Sequence, residues 1–164
     1  GGAQQRTSSS NAFMMQSATQ ARGAHCEVRQ EEAGLRGAYF GANVVSPARA
    51  DGLVQVQYGL IYESVHKDVL LTEWVRPRDP DSVRPKPPPP PDGFHSTLKS
   101  GDMIEVWFEA GWWPAHVVAP RGSHACEVGS EGFAALKRTV PSTQVRPRWR
   151  WVGNAWQMQA ADKA

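Results

Sequence analysis

Aromatic side chains in the first half of this sequence recur at positions that suit the binding of a methylated ammonium group. Such a group has lost N–H donors and gained apolar surface, so two or three aromatic faces hold it best, at ~0.5–2 kcal/mol each. Phe40 and Tyr58 fall on adjacent predicted strands and are the leading candidates. Because neighbours along a strand point to opposite faces, one of Tyr39 and Phe40 should be core and the other should line a pocket, for which Phe40 is favoured. Weaker candidates are Trp74 and Tyr62.

Acidic residues accompany these rings. A carboxylate beside the pocket favours mono- and dimethylated ammonium, which keep an N–H to donate. Glu31, Glu32 and Glu63 are the candidates, and the same residues suit the unmodified Lys and Arg of a basic tail. The competing interpretation is that these turns are only solvated loops.

Tryptophans dominate the second half of the sequence. Trp107 and Trp113 end one predicted strand and open the next, which makes a second pocket possible. Aromatic residues in small barrels usually fill the core, since each buries a large apolar area. Arg146, Arg148 and Arg150 alternate with Trp149 and Trp151, a pattern that permits weak nucleic-acid contact through phosphates and stacking, although a solvated edge strand is the simpler interpretation.

Other chemistries have little support in the sequence. The five histidines include no pair at helical zinc spacing, and no Cys-x-x-Cys occurs. No Gly-rich loop is present to hold a phosphate. A Cys–His nucleophile would lack an orienting group and an oxyanion hole. We therefore predict a non-enzymatic chain with no metal, no cofactor and no small-molecule substrate.

Composition sets broader bounds. The chain has 164 residues and a formal net charge of +2, too even a balance for a strongly basic nucleic-acid binder. No apolar run approaches the ~18–20 residues of a membrane span. Cys26 and Cys126 are the only cysteines, which excludes a disulfide-stapled scaffold and suits a reducing compartment. The lack of an initiator Met and of a signal peptide predicts a piece of a longer protein.

Two blocks resemble each other. Glu27-Val28, Glu32-Ala33-Gly34 and Phe40 to Val45 recur in order as Glu105-Val106, Glu109-Ala110-Gly111 and Trp113 to Val118. Each block ends near a Val-Arg-Pro, so we infer an internal duplication. Short runs of Val, Tyr, Trp and Phe between Gly, Pro and Asp predict strands. The predicted strands are 25–30, 38–46, 53–59 and 69–75, then 102–108, 112–119, 124–128, 134–140 and 144–148.

The fold class predicted is all-β, with two small SH3-like barrels in tandem. Residues 1–22 and 158–164 are predicted tails, the first of them disordered, and the barrels are predicted at 23–86 and 94–157. Eight prolines lie between Pro77 and Pro91. Proline fixes φ and lacks an N–H, so residues 87–93 are predicted to be a Pro-rich linker.

Several segments together resemble a plant-type tandem Agenet pair, of the Tudor-like group. Glu31 to Phe40 resembles the acidic turn and Gly-Phe-Arg-Gly-Ala-Trp-Phe opening of that family, with Tyr39 where Trp is usual. Val56-Gln57-Tyr58, Leu70 to Val75 and Val83-Arg84-Pro85 follow in the family's order, and Gly101 to Val106, Gly111-Trp112-Trp113 and Val145-Arg146 do the same in the second block.

This resemblance implies a chromatin reader. It would bind a histone tail carrying methylated lysine, with dimethylated lysine nine of the third core histone as the first guess, and it would be nuclear, in heterochromatin and gene silencing. Two alternatives stay open: a nucleic-acid-binding module, and a protein-interaction scaffold that ignores methylation.

Overall fold

Strands account for the regular structure of the protein. The computed structural model describes residues 21–159, and the expectations for the tails at 1–22 and 158–164 fall mostly outside that range. Within the described residues, no helix is long and apolar enough to cross a membrane. The strands are β1 (His25–Arg29), β2 (Tyr39–Ser46), β3 (Val54–Tyr62), β4 (Leu70–Val75), β5 (Val83–Pro85), β6 (Met103–Phe108), β7 (Gly111–Arg121), β8 (Ala125–Gly129), β9 (Arg138–Pro141), β10 (Val145–Pro147), β11 (Trp149–Trp151) and β12 (Trp156–Met158).

The chain divides into two compact units, and neither is one continuous stretch. Among residues 21–159, the first unit contains 21–29, Phe40–Lys86 and Trp151–Trp156, and the second contains Gln30–Tyr39, Pro87–Arg150 and 157–159. The continuous ranges inferred from sequence, and the linker at 87–93, stay predictions. Residues 86–91 have no regular secondary structure.

Each unit has the same strand order. In the first unit the order is β4-β3-β2-β1-β5, and in the second it is β9-β8-β7-β6-β10. Position by position the two orders are identical, as the internal duplication requires. Within residues 21–159, β4 does not pair with β5, nor β9 with β10. The all-β prediction is confirmed, while hydrogen bonding leaves both sheets open where the prediction had barrels.

Alternation along the strands builds each core. Val54, Val56 and Tyr58 of β3 are buried, while the intervening Gln55 and Gln57 are only half-buried. Residues of β7 alternate in the same way over 111–118. This period of two places one face of each strand in the core, because successive side chains point to opposite faces.

Strand limits differ from the sequence prediction at several places, including an extension of β7 to Arg121 and the unpredicted strands β11 and β12. β3 continues to Tyr62, three residues beyond the predicted end at 59. Val83–Pro85 forms a strand where the sequence showed only a repeat motif. The predicted strand 134–140 begins instead as a 3-10 turn at Ala134–Leu136, and β9 starts at Arg138. Ala-Ala-Leu lacks the β-branched residues that favour a strand, and the buried Leu136 fixes the turn.

A two-residue turn joins β6 to β7. Phe108 and Gly111 are Cα partners, so only Glu109 and Ala110 lie between the strands. Both have positive φ, 42° and 62°. This is the left-handed region that right-twisted hairpins require, and it normally selects Asn and Gly.

Buried ion pairs link the neighbouring strands β1 and β5 in the first unit, and β6 and β10 in the second. In the first unit the Arg84 guanidinium bonds to Glu27 and to Asp81, and it lies 5.2 Å from the Trp156 ring centroid. Asp81 Oδ1 also accepts a hydrogen bond of 2.7 Å from the Trp151 N–H. Residues 151–156 are therefore part of the environment of this buried arginine.

Candidate functional site

Phe40 and Tyr58 share one face of the first sheet. Ala42 and Tyr58 are Cα partners on β2 and β3, and Phe40 precedes Ala42 by two residues. Directly paired residues, and residues two apart on one strand, project to the same side. The side chains are 5% and 1% exposed, and the face they share carries the core valines. The structure thus places these two predicted ring residues on the same side of adjacent strands.

Strand β3 changes its register with β4 between Gln57 and Tyr62, a stretch that includes Tyr58. Gln57 pairs with Thr72, and the next recorded pair is Tyr62 with Leu70. Between these two pairs the chain advances five residues on β3 but only two on β4, so β3 carries three extra residues. Bulges of this kind are over-represented beside binding sites. Beyond the bulge, Tyr62 is 51% exposed.

Trp74 lies on the other side of the same sheet. Its Cα partner is Gln55, which alternates with the buried Val54 and Val56. The Arg49 guanidinium stands 4.1 Å from the Trp74 ring centroid and pairs with Asp51 at 2.7 Å. Trp74 is therefore not brought together with Phe40 and Tyr58.

Tyr39 belongs to the second unit, where its Cα partner is Trp112. It is buried, as Phe40 is. The two neighbours fall in different units, since the boundary between the units lies between residues 39 and 40, and the assignment of one to the core and the other to a pocket stays a prediction.

The acidic candidates fall into two places. Glu31 and Glu32 are exposed on the turn of the second unit that precedes β2, where the Glu32 carbonyl accepts from the Leu35 N–H. Glu63 is half-buried in the first unit, next to the exposed Tyr62, and its N–H donates to the Val69 carbonyl. Glu63 is thus the acidic candidate beside a predicted ring residue of the same unit.

Trp107 and Trp113 lie on opposite faces of the second sheet. Trp107 pairs with Trp112, and their ring centroids are 5.4 Å apart. Trp113, one residue on, contacts Phe133 at 4.6 Å and Phe108 at 5.9 Å, and its Nε1–H donates to the Phe108 carbonyl. The structure therefore does not bring the two predicted tryptophans together.

Phe108 and Phe133 were missed by the sequence analysis. Phe108 lies two residues after Val106, the partner of Trp113, so strand alternation alone pointed to it. Phe133 precedes a 3-10 turn and carries no periodic signal. The Arg138 guanidinium stacks 4.6 Å from the Phe108 centroid.

The basic stretch near the end of the second sheet is largely internal. Arg146 donates to Glu105 at 2.9 Å and lies 4.2 Å from the Trp112 centroid. Arg148 donates to main-chain carbonyls of β6 and β7. Arg150 is exposed. Alternation along an exposed strand would have presented all three cations to a nucleic acid, whereas folding gives two of them internal partners.

A cavity of about 530 Å³ opens in the second unit. Its wall includes Arg36 and Arg148, together with His116, Glu131 and Phe133. Arg36 comes from the turn that precedes β2, and the rest come from β7 and from segments that follow β8 and β10. The sequence analysis did not single out this group, because its members are far apart along the chain.

Neither cysteine is arranged for nucleophilic chemistry. Burial, with a contribution from Glu27, raises the pKa of Cys26 to about 12. Burial and Glu127 likewise raise the pKa of Cys126. Both thiols therefore stay protonated near neutral pH. Among residues 21–159, no three His, Cys, Asp or Glu side chains cluster in a way that could hold a metal ion.

Comparisons with known proteins agree on the fold. The family model for the Agenet domain matches residues 23–88. The crystal structure of Arabidopsis thaliana AGDP1 AGD34 is similar, with a TM-score of 0.73 at 21% identity, over 90% of this chain and 97% of that one. The crystal structure of ADCP1 tandem Agenet domain 3-4 gives 0.70 at 20% identity, over 92% of this chain and 95% of the other. A comparison with curated protein sequences found no match.

Proposed function

We propose that the protein is a non-catalytic chromatin reader, because residues 23–88 match the Agenet family model and the fold is similar to that of a solved tandem Agenet structure over 90% of the chain. Its ligand is a histone tail that carries a methylated lysine. The first peptide to test is the third core histone dimethylated at lysine nine. This role places the protein in the nucleus, at silenced heterochromatin.

The observation that supports this proposal is the common face of Phe40 and Tyr58 beside the bulge of β3. The bulge leaves residues 58–61 of β3 without a recorded partner on β4, next to these rings. The two rings are 5% and 1% exposed, so the proposal requires that a ligand reach them where this pairing is interrupted. Tyr62 and Glu63 follow at the exposed end of the strand.

The chemistry of the ligand matches these groups. Two aromatic faces attract a methylated ammonium at ~0.5–2 kcal/mol each. The Glu63 carboxylate, next to the exposed Tyr62, supplies the acceptor for the N–H that a dimethylated lysine retains. A contact area of this size gives weak binding, so we expect micromolar affinity.

Calorimetric titration tests the proposal with matched histone-tail peptides, unmethylated and dimethylated at lysine nine. We expect the methylated peptide to bind at least about tenfold more tightly, which is ~1.4 kcal/mol. Tyr58→Phe keeps the ring and should keep the preference, while Tyr58→Leu should abolish it. Trp74→Ala, on the opposite face of the sheet, is the matched control and should leave the affinity for both peptides unchanged.

Folding of each variant is checked by thermal unfolding, because Tyr58 is buried. Phe40→Leu gives a second, independent loss of an aromatic face. Equal affinity for the two peptides in the wild type would exclude dimethylated lysine nine as the ligand and move attention to other methylated lysines. A steep salt dependence with DNA would then favour the nucleic-acid alternative. Binding of a non-histone protein regardless of methylation would favour the scaffold alternative.

A further inference from the structure

The cavity of the second unit has a wall with an excess of positive charge. Two guanidinium groups, those of Arg36 and Arg148, line it against one carboxylate, that of Glu131. At about 530 Å³ the cavity is large enough for a side chain with its neighbouring backbone. This charge balance favours an anionic guest.

Arg148 is held in place before any ligand arrives. Its Nε and Nη2 donate to the Ile104 carbonyl at 3.2 and 3.1 Å, and Nη2 also donates to the Ala115 carbonyl. Both acceptors are main-chain carbonyls, and they fix the orientation of the guanidinium. A fixed cation loses little side-chain entropy when an anion binds.

Arg36 and His116 add donors from two other elements. Arg36 is exposed on the turn before β2. Within residues 21–159, the side chains of Arg36 and His116 have no hydrogen-bond or ion-pair partner. The His116 ring lies over Gly129, where an added Cβ would stand 3.3 Å from Nε2. Because residue 129 is a glycine, the His116 ring has room to lie in the cavity wall.

Apolar and hydroxyl groups complete the wall. Phe133 and Pro114 offer apolar surface, and Ser130 offers a hydroxyl donor. Gly37 lies against the same proline, since its added Cβ would be 3.4 Å from Pro114 Cγ. The turn that carries Arg36 is thus packed on β7 rather than extended into solvent.

We propose that this cavity binds the phosphate group of a phosphorylated serine or threonine in a peptide. A phosphate monoester presents three strong acceptor oxygens, which two guanidinium groups, an imidazole and a hydroxyl can satisfy together. The ring of Phe133 and the side chain of Pro114 receive the adjoining backbone. This site is separate from the methyl-lysine proposal and uses none of its residues.

Calorimetry and amide chemical shifts of the full chain test the site, with N-acetyl-phosphoserine N-methylamide as the probe. Inorganic phosphate and the unphosphorylated serine analogue are the comparison ligands. We expect the phosphoserine probe to bind more tightly than phosphate, and the serine analogue to show no binding. Arg36→Ala should weaken phosphoserine binding at least about fivefold.

Two further variants sharpen the result. Glu131→Gln removes the opposing carboxylate and should tighten phosphoserine binding about two- to threefold. Arg78→Ala removes an exposed arginine of the first unit and should leave binding unchanged. All three positions are exposed, so we expect the variants to fold.

The outcomes separate clearly. The proposal is supported if the phosphoserine probe binds more tightly than phosphate, Arg36→Ala weakens that binding and Glu131→Gln strengthens it. Equal binding of phosphate and phosphoserine would assign the cavity to free phosphate and overturn the peptide ligand. Absence of shifts at Arg36, Ser130 and Glu131 would overturn the site altogether. None of these results depends on whether methylated histone peptides bind.

Discussion

Glu27 and Arg84 are Cα partners on β1 and β5, and the Arg84 guanidinium donates to Glu27 Oε1 at 3.1 and 3.3 Å. Glu105 and Arg146 repeat this relationship on β6 and β10. The duplication has therefore kept a buried ion pair at equivalent positions of both sheets. In each unit the pair joins the last strand of the repeat to the first.

Truncation of one member of such a pair should be costly. Glu105→Ala leaves the Arg146 charge buried without this carboxylate, so we expect the free energy of unfolding to fall by about 3–5 kcal/mol. Glu105→Leu combined with Arg146→Met removes both charges and should recover most of the loss. Urea unfolding measures both changes. A cost below about 1 kcal/mol for Glu105→Ala would show that water reaches Arg146.

Acid should weaken the Asp79–Arg29 pair. Partial burial opposes ionisation of Asp79, but the hydrogen bond and charge of Arg29, with the Asp81 and Ser82 amides, outweigh it and hold the pKa of Asp79 below its ordinary 3.8. A lowered folded-state pKa means that this contribution is present above pH 3.8 and disappears as pH falls through the folded pKa. Melting temperature measured between pH 6 and about pH 2 should therefore drop less for Asp79→Asn than for the wild type. Equal slopes would mean that Asp79 is not coupled to folding.

The cysteines should resist alkylation in the folded protein. A thiol attacks as its thiolate, and burial raises the pKa of Cys26 to about 12, with Cys126 shifted in the same direction. With a thiol reagent at pH 8 we expect slow reaction, limited by opening of the structure. The protein unfolded in guanidinium is the control, in which both thiols should react at once. Fast labelling of the native protein would contradict the observed burial.

The β6–β7 turn offers a stabilising substitution. Glu109 and Ala110 adopt positive φ, a conformation that costs an ordinary residue about 1–2 kcal/mol. Glu109→Asn with Ala110→Gly supplies the residues that this turn type prefers. We expect the free energy of unfolding to rise by about 1 kcal/mol in total, because glycine also loses more chain entropy. Calorimetric melting measures the gain, and a lower melting temperature would show that the Glu109 or Ala110 side chain makes a stabilising contact.

Local patterns in the sequence predict much of this fold, but not its pockets. Alternation in Val54–Tyr58 and the recurring Glu-Val and Val-Arg-Pro motifs located strands and the repeat, because strand period and turn chemistry act over a few residues. The face of Trp74 and the separation of Trp107 from Trp113 depend on register between strands, which short motifs do not encode. Phe133 and the cavity around Arg36 depend on segments about 100 residues apart, so only the folded chain reveals them.

Synthesis on the ribosome imposes an order on this arrangement. The first unit includes Trp151–Trp156, which supply the amide that bonds Asp81 and the ring beside Arg84. The amino-terminal unit therefore cannot reach its final form while only the first half of the chain has emerged. Its completion must wait until residues 151–156 have also emerged, so the unit whose strands are made first is not finished before those of the second unit have been made.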